Sequence, residues 1–221
     1  MKGRRRIFVV EDHPIFRLGL RELLEEESDF AVCGEADDIG SALEEIARTC
    51  PDLVIVDLSL KGRSGIDLLR ELRSRHRDLP LLVLSMYDEA LYAERALAAG
   101  ARGYIMKQET SDSIVQAVRR VLEGKVYLSE RVVGDLVGKL LQGGGSGGAP
   151  ADRSPLDRLT DRELEVFRLI GQGCTTGDIA GRLHLSAKTI GTYRERIKEK
   201  LHLKNAAELT LHAIRLADAD K

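Results

Sequence analysis

The sequence predicts an α/β protein: a doubly wound, five-stranded parallel sheet followed by a second, smaller all-α domain. Three observations carry this reading. Short strand-like runs recur five times before residue 107, each followed by a segment of helical spacing. The stretch "LLQGGGSGGAPADRSP" (140–155) supplies flexibility and little to bury, so it reads as a linker. Beyond it, helical patterns follow without strand-like runs.

The elements follow in order. "RIFVV" (6–10) is the first strand, and the next helix enters through Pro14 and buries Phe16, Leu20, Leu23 and Leu24. "FAVCGEA" (30–36) precedes a helix near 39–49. "LVIV" (53–56), bracketed by Pro51 and a glycine-containing loop, reads as a buried parallel strand, with a helix near 65–75 behind it. "LPLLVLSM" (79–86) leads to a helix capped by Asp88 and ended by Gly100. "RGYIM" (102–106) precedes a helix capped at Thr110, with Ile114, Ala117, Val118, Val121 and Leu122 at helical spacing. A further helix near 129–141 leads into the linker. The domains are therefore a sheet domain at 1–125, a helix and Gly/Ser-rich linker at 126–155, and a helical domain at 156–221.

Charge is close to balanced, with a formal net of −2, but it is unevenly spread. Residues 155–217 carry 11 Lys/Arg against 8 Asp/Glu, and 186–204 carry six against two. A local basic stripe in an acidic chain points to an anionic partner, although such runs are more often a solvated face. Cys33, Cys50 and Cys174 share no metal-ligand spacing and read as reduced, mostly core residues of a cytoplasmic protein. The opening "MKGRRRIFVVED" is too short in apolar residues for a signal-peptide core, and no segment reaches membrane-spanning length.

The strand ends carry the chemistry. Glu11 and Asp12 end the first strand, Asp57 the third and Ser85 the fourth, and Lys107 follows the fifth. In a parallel sheet these lie on one edge, where ligands bind. Clustered carboxylates repel unless a cation binds, and all-oxygen ligation suits Mg²⁺. A lysine and a hydroxyl beside the metal complete a pocket for a phosphoryl group, and Asp57 is its natural nucleophile. Alone, an aspartate after a strand is ordinarily a turn or helix cap; the combination at successive strand ends favours the site.

"VVEDHPIFR", "IVDLSLKGRSG", "LS" (84–85) and "YIMK" (104–107) resemble, in order and spacing, the receiver domain of two-component response regulators over residues 5–125. The resemblance implies a flavodoxin-like receiver that takes a phosphoryl group on Asp57 from a histidine kinase. It implies that Glu11, Asp12, Asp57 and the backbone carbonyl of Ser59 hold Mg²⁺, and that Ser85 and Lys107 contact the phosphoryl group. Tyr104 would be an aromatic switch that turns inward when Ser85 moves. Lys61 stands where the family often has proline.

The second domain has its own motif. Thr160 heads a capping-box pattern, Gly171 and Gly173 end the first helix, a short helix near 176–183 follows, and "HLS" turns into a helix capped by Ser186. Two helices joined by a tight turn, the second basic, suggest a helix-turn-helix. At about 100° per residue, Ile190, Tyr193, Ile197 and Leu201 form its core stripe. The opposite face holds Lys188, Thr192, Glu195 and Glu199, flanked by Gly191 and Arg196. "LTDRELEV", "DIAGRLHLSAKTI" and "KL" resemble the LuxR-type DNA-binding domain over residues 156–217, and the two halves together resemble the NarL/FixJ subfamily. As a recognition helix the basic second helix would set Lys188, Thr189, Gly191, Thr192, Glu195, Arg196 and Lys200 toward DNA, with Gly191 and Glu195 standing where the family often has a basic side chain. The final helix near 205–217 spreads Ala207, Leu209, Leu211, Ala213, Ile214 and Leu216 around more than one face, as a dimer contact or added burial in its own domain would require.

The expectation is a phosphorylation-controlled transcriptional regulator, a phosphoacceptor rather than a turnover enzyme. Its partners would be a histidine kinase, double-stranded DNA and a second copy when phosphorylated, with RNA polymerase as a further candidate and no membrane. An RNA-binding or protein-docking output domain is a rival that the helix-turn-helix pattern argues against; the main alternative is an aspartyl-phosphate-forming Mg²⁺ phosphatase. Such enzymes place a second, acid-supplying aspartate two residues on, where this chain has Ser59.

Overall fold

The computed structural model describes residues 3–60, 63–143 and 155–219. The chain forms two compact units, 1–142 and 143–221. Lys61 and most of the Gly/Ser-rich stretch (144–154) lie outside the described residues.

In the first unit, β1 (Arg5–Val10), β2 (Phe30–Ala36), β3 (Leu53–Val56), β4 (Leu81–Ser85) and β5 (Gly103–Met106) alternate with α1 (Pro14–Glu26), α2 (Ile39–Thr49), α3 (Gly65–Arg75), α4 (Glu89–Ala98) and α5 (Ser111–Leu122). The strands are all parallel, in the order β2-β1-β3-β4-β5. The apolar runs of β1 and β3 are continuous because both faces are covered. Ile7, Val9, Leu53, Ile55, Leu82 and Leu84 share one core with Leu20 and Leu24 of α1 and Ile114, Val118 and Val121 of α5. Phe8, Val10, Val54, Val56 and Val83 are equally buried on the other face, where α2, α3 and α4 lie. Each such side chain contributes about 1.5–3 kcal/mol of transfer free energy. Phe16 and Leu23 pack at the edge of this core and are only half-buried.

Local signals set the boundaries. Asp38, Ser64, Asp88 and Thr110 each accept backbone N–H groups at the head of the following helix. α4 ends before Gly100, which takes φ +112°. Between Ile7 and Phe8 the pairing of β1 jumps from Val32 to Gly34, so Cys33 is bulged. Gly34 leaves room for Phe8, whose ring would lie 2.5 Å from a Cβ at position 34.

Two sequence expectations need correction. None of the cysteines is a core residue: Cys33 and Cys174 are half-buried, and Cys50 is exposed at the C-cap of α2 with φ +47°. The sheet has the five strands expected, and at its β5 edge Tyr127 N–H donates to Arg102 O (3.1 Å) while Tyr127 O accepts from Tyr104 N–H (2.9 Å). This short pairing covers the open edge of β5. Next comes α6 (Glu130–Gly143), with Val132 buried, so the helix assigned to the connecting segment belongs with the sheet unit.

The second unit is helical: a 3-10 turn at Pro155–Arg158, then α7 (Asp161–Gly171), α8 (Thr176–Arg182), α9 (Ala187–Leu201) and α10 (Ala206–Ala219). Thr160 and Thr175 each form a full capping box, with Glu163 and Asp178. Its core gathers Leu164, Phe167, Ile170, Ile179, Ile190, Ile197 and Leu209. Two buried carboxylates tie the helices together. Glu165 pairs with Arg162, whose guanidinium also donates to Leu183 O at 3.1 Å. Glu163 accepts from Lys200 Nζ at 2.6 Å and Thr160 N–H at 2.7 Å. Burial alone would raise the Glu163 pKa, but these two donors outweigh it and hold the carboxyl below its ordinary value.

Candidate functional site: an acidic strand edge and an exposed recognition helix

Parallel register brings the strand ends together. Val10 pairs with Val56, so Glu11, Asp12 and Asp57 follow adjacent strands at one level, and Lys107 N–H donates to Ser85 O at 2.9 Å. Glu11, Asp57 and Ser85 are each at most 2% exposed. Lys107 Nζ sits 2.6 Å from Glu11 Oε2 and 2.8 Å from Asp57 Oδ2, and 4.5 Å from the centroid of the Phe16 ring. Desolvation would lower the Lys107 pKa, but the charges of Asp57 and Glu11 outweigh it and hold it above its ordinary value. Glu11 is pushed up by burial and then by Asp57, against the pull of Lys107.

Asp57 Oδ1 is buried and makes no hydrogen bond. Ligand atoms of Glu11, Asp12, His13 and Asp57 lie within 4.8 Å of one another. Leaving a buried carboxylate oxygen unsatisfied costs a few kcal/mol, and a cation held by these oxygens would remove that cost. The carboxylates of Glu11, Asp12 and Asp57 form a hard-oxygen donor set that fits Mg²⁺. His13, which the sequence reading passed over although it stands in the quoted "EDHP", lies beside these carboxylates. Its Nδ1 is 2.8 Å from Asp12 Oδ1, and its backbone N–H donates to Glu11 Oε1 at 3.0 Å. Ser59 is half-buried and bridges to Ser64 just before α3.

Tyr104 is 1% exposed and faces inward, its hydroxyl donating to Tyr87 O at 2.9 Å. Tyr87 N–H donates to Ser85 Oγ at 3.3 Å, and its ring lies 4.8 Å from that of Tyr92. Ser85 and Tyr104 thus meet on one residue, a link no spacing in the sequence signals.

The helix-turn-helix is built from α8, a turn with His184 at φ +52°, and α9, whose N-cap Ser186 accepts from Thr189 N–H. Ile190 and Ile197 are fully buried, and Tyr193 and Leu201 half-buried, as the angular analysis requires. Lys188, Thr192, Glu195 and Arg196 are exposed, and a Cβ at Gly191 would meet open space. Glu195 pairs with Lys198 at 2.8 Å. Two residues differ in setting: Thr189 is half-buried with its hydroxyl on Ser186 Oγ (2.8 Å), and Lys200 is held by Glu163.

Comparison with known proteins accords with this geometry. Residues 7–119 match the response regulator receiver domain, and 157–213 match the bacterial regulatory proteins, luxR family. The transcriptional activator protein ExaE of Pseudomonas putida is 38% identical over 208 residues, covering 94% of this chain and 95% of that protein. RcsB from Salmonella enterica serovar Typhimurium, bound to promoter rprA in the presence of phosphomimetic BeF₃⁻, is 25% identical with a TM-score of 0.60, over 96% of this chain and 98% of that one. A structure of two RcsB dimers bound to two parallel DNAs is 26% identical with a TM-score of 0.57, over 94% and 96%. Among the described residues no helix is long and apolar enough to cross a membrane. With an acidic strand edge in one unit and an exposed helix-turn-helix in the other, the chain belongs to the two-component response regulators of the NarL/FixJ type, DNA-binding transcription regulators that join a receiver domain to a LuxR-type domain.

Proposed function

We propose that the protein is a cytoplasmic transcription regulator switched by transfer of a phosphoryl group from a histidine kinase to Asp57. The observation that carries this is the Asp57 carboxylate itself: buried at a strand end, with one oxygen on Lys107 and the other without a hydrogen bond. Glu11, Asp12, Asp57 and the Ser59 carbonyl would hold Mg²⁺, which when bound would screen the carboxylates and neutralise charge on the phosphoryl oxygens. Asp57 supplies the nucleophilic oxygen. Its bond to phosphorus forms as the kinase's phosphohistidine P–N bond breaks, the electron pair leaving with the imidazole nitrogen. Lys107 then exchanges carboxylate contacts for phosphoryl oxygens, and Ser85 donates its hydroxyl to them. Ser59 stands where a phosphatase would need a proton-donating aspartate, so the chain acts as a phosphoacceptor rather than a turnover enzyme.

Output runs through α9 on duplex DNA, with Lys188 and Arg196 on phosphates and Thr192 and Glu195 toward base edges. Phosphorylation favours a homodimer, which raises DNA affinity through effective concentration. The two-sided α10 supports this. Leu209 and Ala213 are buried, while Ala207, Leu211 and Ile214 are exposed. RNA polymerase is a candidate partner for the DNA-bound form. The test is incubation with acetyl phosphate and Mg²⁺ followed by intact mass. One base-labile phosphoryl adduct is expected, absent in Asp57→Asn and without Mg²⁺; normal labelling of Asp57→Asn would sink the assignment.

A further inference from the structure

Glu89 is a carboxylate that phosphotransfer does not use. It is the first residue of α4, two positions after Tyr87, and is only 9% exposed. A carboxylate is rarely buried this far unless hydrogen-bonded or paired, because desolvation is costly. Its Oε1 accepts the backbone N–H of Ser129 at 2.9 Å, across forty residues of sequence. Ser129 in turn heads α6: its hydroxyl accepts Val132 N–H at 3.3 Å, and its carbonyl accepts Val133 N–H at 3.0 Å. The bond from Glu89 therefore fixes the residue that starts α6, the last helix of the receiver unit before the linker.

The other end of this contact leads back to the phosphoacceptor pocket. Ser85 Oγ accepts Tyr87 N–H, Tyr87 O accepts the Tyr104 hydroxyl, and two covalent steps separate Tyr87 from Glu89. Tyr104 N–H also holds Tyr127 O, two residues before Ser129. The 127–129 segment is thus pinned from both β5 and α4. Because Ser85 Oγ accepts the Tyr87 N–H, a Ser85 side chain that turns toward a phosphoryl group shifts this contact and with it the loop that carries Glu89.

We infer that Glu89 is a positioning residue that latches the start of α6 to the β4–α4 loop, and that phosphorylation at Asp57 releases the latch. This rests on the phosphotransfer reading, but its first test does not. Hydrogen–deuterium exchange is followed across residues 129–138 of the full-length protein, with phosphorylation measured by intact mass in the same samples. In unphosphorylated protein, Glu89→Ala speeds exchange in this segment about tenfold. Glu89→Gln keeps an acceptor oxygen and stays near wild type. Unchanged exchange in Glu89→Ala would overturn the latch whatever the chemistry at Asp57. Labelling of Asp57 in both variants shows that the receiver is folded.

The second test asks for the switch. Phosphorylated wild type should match unphosphorylated Glu89→Ala in this segment, and phosphorylation should change the alanine variant no further. Phosphorylated wild type that keeps its protection removes the switching role. Glu89 would then be a fixed structural cap. A wild type that takes up no phosphoryl group instead overturns the phosphotransfer reading and the release step with it, while the unphosphorylated comparison still decides the latch.

Discussion

Gly65 lies so close to Asp57 that a Cβ added to it would stand 2.1 Å from the Asp57 carbonyl oxygen. Its N–H also donates to Leu58 O at 2.9 Å, folding the chain back against the strand end. Space, rather than a special backbone angle, demands glycine here, because the obstructing atoms are backbone and cannot swing aside. Gly65→Ala should lower stability by about 1–3 kcal/mol and slow labelling of Asp57. The control is Gly19→Ala, in mid-helix with nothing within 4 Å of the new Cβ, which should stabilise by about 0.5–1 kcal/mol. Denaturant melts and labelling time courses on both variants check this, and equal behaviour would refute the packing argument.

Glu11 gives a pH signature. Burial first, and then the Asp57 charge, hold its carboxyl above its ordinary 4.5. A raised carboxyl binds its proton more tightly folded than unfolded. The stability this adds is complete below the unfolded value and is lost as pH rises through the folded one. Metal-free wild type should therefore lose stability relative to Glu11→Gln as pH rises from about 4.5 toward neutrality. Added Mg²⁺ should restore it in wild type and less in the variant. Parallel melting-temperature profiles for the two proteins would count against the assignment.

On α9, affinity and stability should separate. Lys188→Ala and Arg196→Ala should weaken binding to all duplex sequences and flatten the salt dependence by about one unit of slope each, with no change in melting. Thr192→Ala should alter relative affinities by about 1–3 kcal/mol at an affected base pair. Lys200→Ala should also lower melting, because it strips the buried Glu163 of a partner at 2.6 Å. Titrations at several salt concentrations, beside thermal melts, distinguish these outcomes. Unchanged affinity and slope in both Lys188→Ala and Arg196→Ala would remove this face from the DNA.

The exposed side of α10 can be tested alone. Leu211 is 49% exposed and Ile214 38%, while Leu209 and Ala213 carry the packing. Leu211→Glu should leave melting within about 0.5 kcal/mol of wild type. It should also abolish phosphorylation-dependent dimerisation in sedimentation and lower apparent DNA affinity at least tenfold. A variant that still dimerises when phosphorylated would assign the dimer to another surface.

Much of this was legible because the signals are local. α2 and α3 begin and end where the sequence predicts, and Asp88, Thr110, Thr160 and Ser186 cap helices as expected, since a cap is read within three residues. The acidic edge was legible for a related reason: in a parallel sheet, residues after each strand converge whatever their separation. The contacts that were not legible join distant residues without a pattern. The Glu89–Ser129 bond, the Tyr127 pairing beside β5 and the Glu163–Lys200 pair depend on how elements dock, which periodicity does not encode. Cys50 was misread because a half-apolar residue type suggested core, whereas its place after the last turn of α2 puts it in solvent.

The tyrosine cluster beside Ser85 also gives the molecule an optical handle. The chain has no tryptophan and five tyrosines, of which Tyr87, Tyr92 and Tyr104 lie together at the end of β4 and on the neighbouring α4 and β5. Their ultraviolet signal is not masked by indole, and the Tyr104 hydroxyl, bound to a carbonyl at 2.9 Å, is in a setting that quenches and shifts emission. Intrinsic fluorescence and near-ultraviolet dichroism should therefore follow the state of this loop in the unlabelled protein, in real time, as phosphodonor is added.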